Sequence, residues 1–272
     1  MKKKILYASD LDGTLLRSDQ TTSPYTIDVI NHLTDKGICF SYATARSVYS
    51  SSVVTKGLDA KIPIILYNGA FILDNSTREI LDSNYLGSGA HELLEDLFAN
   101  GIYPTVYSMI DGRERFSNWL EKSSEGIIDF SNSRSDERKR IVHSAEELMA
   151  GDVFYITCIE DAAKILPFYE KYKDIYRCVY SKDIYSDNQW LEIMPVNATK
   201  ANAIRRLKEM TGCNYVVAFG DAVNDIDMFR EADECYATAN ADPEIKAIAT
   251  AVIASNDDDG VAHWLEENVR TD

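Results

Sequence analysis

The chain has 272 residues, 45% of them hydrophobic and 26% charged, with a formal net charge of −16. Such a composition is that of a globular protein large enough for two domains, and its acidic excess argues against nucleic-acid or anionic-membrane partners. No apolar run approaches membrane-spanning length, and the apolar stretch after the basic start Met1-Lys2-Lys3-Lys4 stops at Ser9 and Asp10, too soon for a secretory signal.

Five scattered cysteines (Cys39, Cys158, Cys178, Cys213, Cys235) include no C-x-x-C pair. That disfavours a zinc or redox motif and fits reduced thiols in the cytoplasm. The net charge also repels an anionic substrate at long range. A phosphate site in this chain needs local positive charge from lysine, metal and backbone N–H groups.

The first element is the apolar run 5–9, too short for a helix and read as a buried strand. It ends in Asp10-Leu11-Asp12-Gly13-Thr14. Side chains two apart on an extended backbone point the same way, so Asp10 and Asp12 could converge on one cation or one reacting atom. Gly13 permits a sharp exit that brings backbone close to an anion. Taken alone, the stretch also reads as a strand closing in a polar turn.

A helix follows between Ser23, a good N-cap, and Gly37, a good C-terminal cap, with Pro24 at its first position and Ile27, Ile30 and Leu33 on one face. His32 reads as a surface residue. Strand 38–43 runs into Thr44-Ala45-Arg46, and strand 63–67 into Asn68-Gly69-Ala70. Alternating strands and helices predict parallel pairing through right-handed crossovers. Ligands collect at the carboxyl ends of such strands, and Asp10, Thr44 and Asn68 are each the first polar residue after one. Residues 71–85 read as a hairpin around Asp74-Asn75-Ser76.

From about Gly87 the pattern changes to an α+β insert: a helix over 91–100, alternating residues at 103–108, strands at 153–159, 177–181 and 190–193, and a helix over 164–173. The mixed charges of 134–140 read as a solvated face. The core pattern then returns. Lys200 opens a helix with Ile204, Leu207 and Met210 on one side and Gly212 at its end. Strand 215–219 delivers Gly220-Asp221-Ala222-Val223-Asn224-Asp225, a helix follows, and short strands lie at 234–237 and 251–254. The loop Ser255-Asn256-Asp257-Asp258-Asp259-Gly260 lacks EF-hand ligand spacing and reads as a solvated turn.

Strand ends thus offer Asp10, Asp12, Thr44, Asn68, Asp221, Asn224 and Asp225, joined by Lys200. Several carboxylates without clustered histidine suit a hard cation, and Mg2+ fits. A lysine and a threonine suit a phosphoryl group. Two carboxylates remain for covalent and proton-transfer work.

Asp10-Leu11-Asp12-Gly13-Thr14-Leu15, Thr44, Lys200 and Gly220-Asp221-x-x-Asn224-Asp225 resemble the four motifs of the haloacid dehalogenase superfamily. The Asn68-Gly69-Ala70 turn, the acidic loop 255–260 and the insert between the second and third motifs resemble its Cof-type, cap class IIB sugar-phosphatase-like branch. The resemblance implies a Rossmann-like parallel-sheet core, residues 1–84 and 190–272, with an inserted α+β cap domain, residues 85–189. It implies a Mg2+-dependent phosphatase of small phosphorylated metabolites, sugar phosphates first, working through an aspartyl-phosphate intermediate.

Under that resemblance Asp10 is the nucleophile and Asp12 the general acid and base. Mg2+ is held by the side chains of Asp10 and Asp221 and the backbone carbonyl of Asp12, with Asp225 either a water-mediated ligand or the partner of Lys200. Thr44 and Lys200 hold phosphoryl oxygens, Asn224 supports the same site, and Ala45, Arg46 and Asn68 line it. Arg46 could equally pair with a core acid. Ala45 stands where this branch often has glycine, and Asn197 and Ala201 flank Lys200 where glycines are common; these departures bear on substrate fit. Arg113, Arg115 and Trp119 are candidate substrate contacts in the insert. Rival readings are a phosphotransferase or phosphomutase using the same intermediate, a non-catalytic phosphometabolite-binding protein, and carbon–halogen cleavage, which Asp12 and the acid-rich fourth motif disfavour. The sequence names neither the substrate nor an oligomeric state.

Overall fold

The computed structural model describes residues 3–182 and 188–270; Met1 and Lys2 of the basic start lie outside them. The chain forms two compact units, one made of Met1–Ser83 with Ala198–Asp272 and the other of Asn84–Asn197.

The first unit begins with β1 (Ile5–Ser9), α1 (Pro24–Asp35), β2 (Cys39–Tyr42), α2 (Val48–Val54), β3 (Ile64–Leu66), β4 (Phe71–Leu73) and β5 (Ile80–Ser83). The second unit contributes α3 (Gly89–Ala99), β6 (Thr105–Ile110), β7 (Arg113–Asn118), α4 (Glu125–Asn132), β8 (Lys139–Ile141), α5 (Ala145–Leu148), β9 (Asp152–Glu160), α6 (Ala162–Tyr172), β10 (Arg177–Lys182) and β11 (Gln189–Met194). The chain returns to the first unit with α7 (Lys200–Thr211), β12 (Tyr215–Gly220), α8 (Ile226–Glu231), β13 (Glu234–Ala237), α9 (Pro243–Ile248), β14 (Ala251–Val252) and α10 (Gly260–Asn268).

Five strands of the first unit form a parallel sheet in the order β14-β13-β12-β1-β2. The centre of this sheet is β1, with Leu6 and Ala8 fully buried and aligned with Val216 and Ala218 of β12. Local chemistry sets the helix ends. Ser23 accepts from the Thr26 N–H ahead of Pro24, Thr199 caps α7 by accepting from Asn202, and Gly212 closes α7 in a left-handed turn.

The third strand departs from the purely parallel expectation. It meets β2 through a single parallel bridge, Ala43 to Ile65, and then pairs antiparallel with β4, which pairs with β5. The tight turn at Tyr67–Gly69 sends the chain straight back, so no crossover helix intervenes. Two further expectations change. Met210 is 47% exposed although it follows Ala203 and Leu207 at helical spacing, because it lies in the last turn of α7, past the buried positions Ala203, Ile204 and Leu207. The acidic loop 255–260 is a folded turn with Asn256 and Asp259 buried, not a solvated one, since Asp259 is held by Arg17 and Thr26.

The second unit is a six-stranded sheet, β10-β11-β9-β6-β7-β8, antiparallel except for the β7–β8 pair. One face packs on α3 and α6 through Val106, Ile156, Cys158, Leu191 and Ile193 against Leu93, Leu97 and Ile165. The strand Gln189–Met194 pairs with β9 and β10, so it belongs to this unit's sheet although the chain from residue 190 reads as core in the sequence. All five cysteines carry free thiols. Among the described residues no helix is long and apolar enough to cross a membrane.

Candidate active site

The site forms where β1 and β12 end side by side. The Asp10 N–H donates to the Phe219 carbonyl at 3.0 Å, continuing the ladder one residue past β1 and placing the Asp10 carboxyl beyond the sheet edge. Lys200, the first residue of α7, reaches the same place. Its Nζ lies 2.7 Å from Asp10 Oδ1 and 2.7 Å from Asp225 Oδ1, and all three side chains are almost fully buried.

Asp225 is held from its other side as well, because Oδ2 accepts from the N–H groups of Asp221 and Ala222 at 3.1 and 3.3 Å. Both its oxygens are therefore engaged by protein, which makes it the partner of Lys200. Gly220 allows this approach, since a Cβ there would lie 2.7 Å from Asp225 Oδ2. Asp221 comes in over Gly13, and its Oδ1 accepts from the Thr14 hydroxyl at 2.9 Å.

Asp10, Asp221 and Asp225 each offer a carboxylate oxygen, and these oxygens all lie within 4.8 Å of one another. Three carboxylates crowded beside one ammonium carry an uncompensated negative charge. The donor set is all oxygen, which fits a hard divalent cation such as Mg2+. The titration of these carboxyls has the same sense. Burial pushes Asp10 up to about 7, against the pull of Lys200, with Asp225 adding to the rise. Asp221 is pushed up to about 6, again chiefly by burial, with the Thr14 hydrogen bond opposing. For Lys200, burial pulls downward, but the carboxylates of Asp10 and Asp225 outweigh it and leave the ammonium above its ordinary value.

Asp12 is drawn into a different environment. Its carboxylate is 49% exposed and accepts from Arg46, with Nη2 at 2.6 Å from Oδ1 and Nε at 2.9 Å from Oδ2. Arg46 is thus placed on an acid of the core. Thr44 is fully buried. It accepts the Arg46 N–H on its hydroxyl oxygen at 3.1 Å, leaving the hydroxyl proton to donate elsewhere. Its carbonyl takes the Asn68 N–H at 2.8 Å. Asn68 is itself left-handed, with φ 53°, and its buried Oδ1 has no hydrogen-bond partner among the described residues. Ala45 and Asn224 are exposed. In the second unit, Arg113 is exposed on β7, Arg115 donates to the Glu137 carbonyl at 2.6 Å, and the Trp119 indole donates to Glu121 at 3.0 Å.

Sequence reasoning passes over three residues that hold the turn after Asp10. Thr14 bonds Asp221, and the Gly13 carbonyl accepts from Asn240 Nδ2 at 2.7 Å and the Thr238 hydroxyl at 3.4 Å. Thr238 and Asn240 follow β13, so the strand-end rule that selected Asp10 and Thr44 points to them as well.

An α/β fold with a parallel sheet and an acid cluster at its strand ends is an arrangement suited to a metal-assisted hydrolase, and comparison with known proteins gives the family. The sequence profile of the haloacid dehalogenase-like hydrolases matches residues 7–265, and the chain belongs to that family. It is 31% identical over 277 aligned positions to a Haemophilus influenzae protein provisionally named a phosphatase, covering 95% of this chain and 96% of the other. It is 28% identical to Bacillus subtilis YwtE, named 5-amino-6-(5-phospho-D-ribitylamino)uracil phosphatase, over 96% of each chain. The fold superposes on the crystal structure of TM0651 from Thermotoga maritima with a TM-score of 0.81, covering 98% of both chains at 24% identity.

Proposed function

We propose that this hydrolase is a Mg2+-dependent phosphatase of small phosphorylated metabolites in the cytoplasm, with Asp10 as its nucleophile. The observation that carries this reading is the Asp10 carboxyl at the end of β1, pinned by the Lys200 ammonium and facing Asp221. Asp10 and Asp221 would hold the ion, joined by the Asp12 carbonyl, with Asp225 behind them on Lys200. The bound ion supplies charge neutralisation for the attacking carboxylate and the phosphoryl oxygens.

The residues of the chain divide the remaining work. An Asp10 oxygen forms a bond to phosphorus as the ester oxygen leaves, giving an aspartyl-phosphate. Asp12 gives its proton to that leaving oxygen, then takes one from the water that cleaves the acyl phosphate, so acid and base are restored in each turnover. Lys200 and the Thr44 hydroxyl supply donors for the phosphoryl oxygens. Asn224 supports the same group, and Ala45 and Asn68 line the pocket beside it. A phosphate on a short polyol or sugar chain suits the site, as the compound named for YwtE carries one on a ribityl chain.

A screen of phosphorylated metabolites, run with Mg2+ and then with a chelator, tests the reading. Release of inorganic phosphate that stops on chelation, and is lost in Asp10→Asn with the melting temperature retained, supports it. Undiminished turnover in Asp10→Asn would falsify it.

A further inference from the structure

We propose that Arg46 is a positioning residue for Asp12, itself oriented by Gln20 on a turn that the acidic loop at 257–259 pins in place. The inference rests on the phosphatase reading above, and it gives a task to two features that reading leaves idle.

The guanidinium grips Asp12 as a fork, through Nε to both carboxylate oxygens (3.2 and 2.9 Å) and Nη2 to Oδ1 (2.6 Å). Such two-pronged pairing fixes the plane of a carboxylate as well as its place. Asp12 is half exposed, and among the described residues no hydrogen bond other than this fork is seen at its carboxylate. Without the fork its rotamer would be set by solvent.

Arg46 in turn is aimed from a second direction. Its Nη2 donates to Gln20 Oε1 at 3.1 Å. Gln20 is left-handed, φ 63°, and sits in a tight turn closed by Gln20 N–H to the Arg17 carbonyl (2.8 Å) and Arg17 N–H to the Thr21 carbonyl (3.0 Å). That turn is tied to the far end of the chain. Arg17 pairs with Asp259 at 2.5 Å, and Ser18 gives Asp257 both its N–H and its hydroxyl at 2.8 Å. The path from the acidic loop to the proton-transfer carboxyl is thus Asp257 and Asp259, the 17–20 turn, Gln20, Arg46, Asp12.

A residue that only aims the proton donor matters most when the leaving group needs the proton. Alkoxide is a poor leaving group, whereas p-nitrophenolate departs without protonation. The experiment measures kcat and KM for glycerol 2-phosphate and p-nitrophenyl phosphate in Arg46→Ala, Arg46→Lys and Gln20→Ala, with Asp12→Asn as the reference. Arg46→Ala is expected to lose about 100-fold in kcat/KM on the alkyl ester, with little change in kcat/KM on the aryl ester. The kcat/KM value reads only the step in which the ester oxygen leaves and not the later hydrolysis that Asp12 also serves. Gln20→Ala is expected to shift the alkyl-to-aryl ratio in the same direction by less, and Arg46→Lys, which keeps charge without the fork, to fall between.

Equal losses of kcat/KM on both esters would overturn the proposal, since direct phosphate binding by Arg46 would weaken both substrates alike. Should Arg46→Ala melt at assay temperature, an unaltered ratio in both Arg46→Lys and Gln20→Ala overturns it. Full activity in Asp10→Asn, by contrast, is failure of the phosphatase reading itself, whatever Arg46 does.

Discussion

Gly13 packs so tightly under Asp221 that a Cβ at residue 13 would lie 2.2 Å from Asp221 Oδ2. Its φ of +74° is in addition a conformation that side chains resist. Gly13→Ala must therefore displace the Asp221 carboxylate or open the turn after Asp10. Calorimetric titration with Mg2+ is expected to show affinity reduced at least about tenfold. Unchanged affinity would remove Asp221 from the ion site.

The Lys200 ammonium lies between the buried carboxylates of Asp10 and Asp225, so its loss uncovers both. Lys200→Met is expected to cost about 3–5 kcal/mol in urea denaturation with chelator present, the range for breaking a buried pair on one side. Added Mg2+ should recover part of that loss, since the ion replaces the missing positive charge. A variant as stable as the wild type in chelator would show that the carboxyls simply take up protons.

Ion binding should tighten with pH. Asp10 at about 7 and Asp221 at about 6 hold protons that an ion must displace. Both values lie above the ordinary 3.8, so each carboxyl contributes stability that is complete below pH 4 and lost as pH rises through 6 to 7. Melting curves from pH 5 to 8 are expected to fall with pH in chelator and to flatten or rise in Mg2+. Parallel curves in the two conditions would contradict this account.

The three consecutive acids of the terminal loop should differ sharply. Asp259 is buried and takes hydrogen bonds from Arg17 and Thr26, while Asp258 is exposed. Burial of Asp259 would raise its carboxyl, yet the Arg17 hydrogen bond and its hydroxyl partners leave it below the usual range. Asp259→Ala is expected to cost about 1–3 kcal/mol in denaturant, and Asp258→Ala to leave the midpoint where it was. Equal midpoints for the two variants would refute the assignment.

What the sequence discloses follows from periodicity. Asp10, Thr44, Asn68 and Asp221 stand out because an apolar strand ends at each, and a parallel sheet gathers such ends on one rim. Lys200 stands out as the start of a capped amphipathic helix. Side-chain pairing across the fold leaves no such trace. That Arg46 turns to Asp12, or that Asp259 and not Asp258 folds inward, depends on backbone direction at single residues. Asp259 sits at φ 52° and Gln20 at 63°, values that no window average can register. The return of β3 onto β4 is hidden for the same reason, because it turns on the left-handed pair Tyr67 and Asn68.

The placement of β1 between β2 and β12 has a consequence for how the protein comes into being. A chain made from its first residue onward completes β1 and β2 early, but β1 then waits with one edge bare while the whole second unit is synthesised at about 5–20 residues per second. Asp10 meets its ammonium only when residue 200 emerges, and Asp221 later still. The inserted unit therefore has the interval of its own translation in which to fold, and the sheet of the first unit is completed afterwards. The acid cluster is thus assembled late, and a prematurely released chain would carry Asp10 with neither Lys200 nor Asp221 beside it.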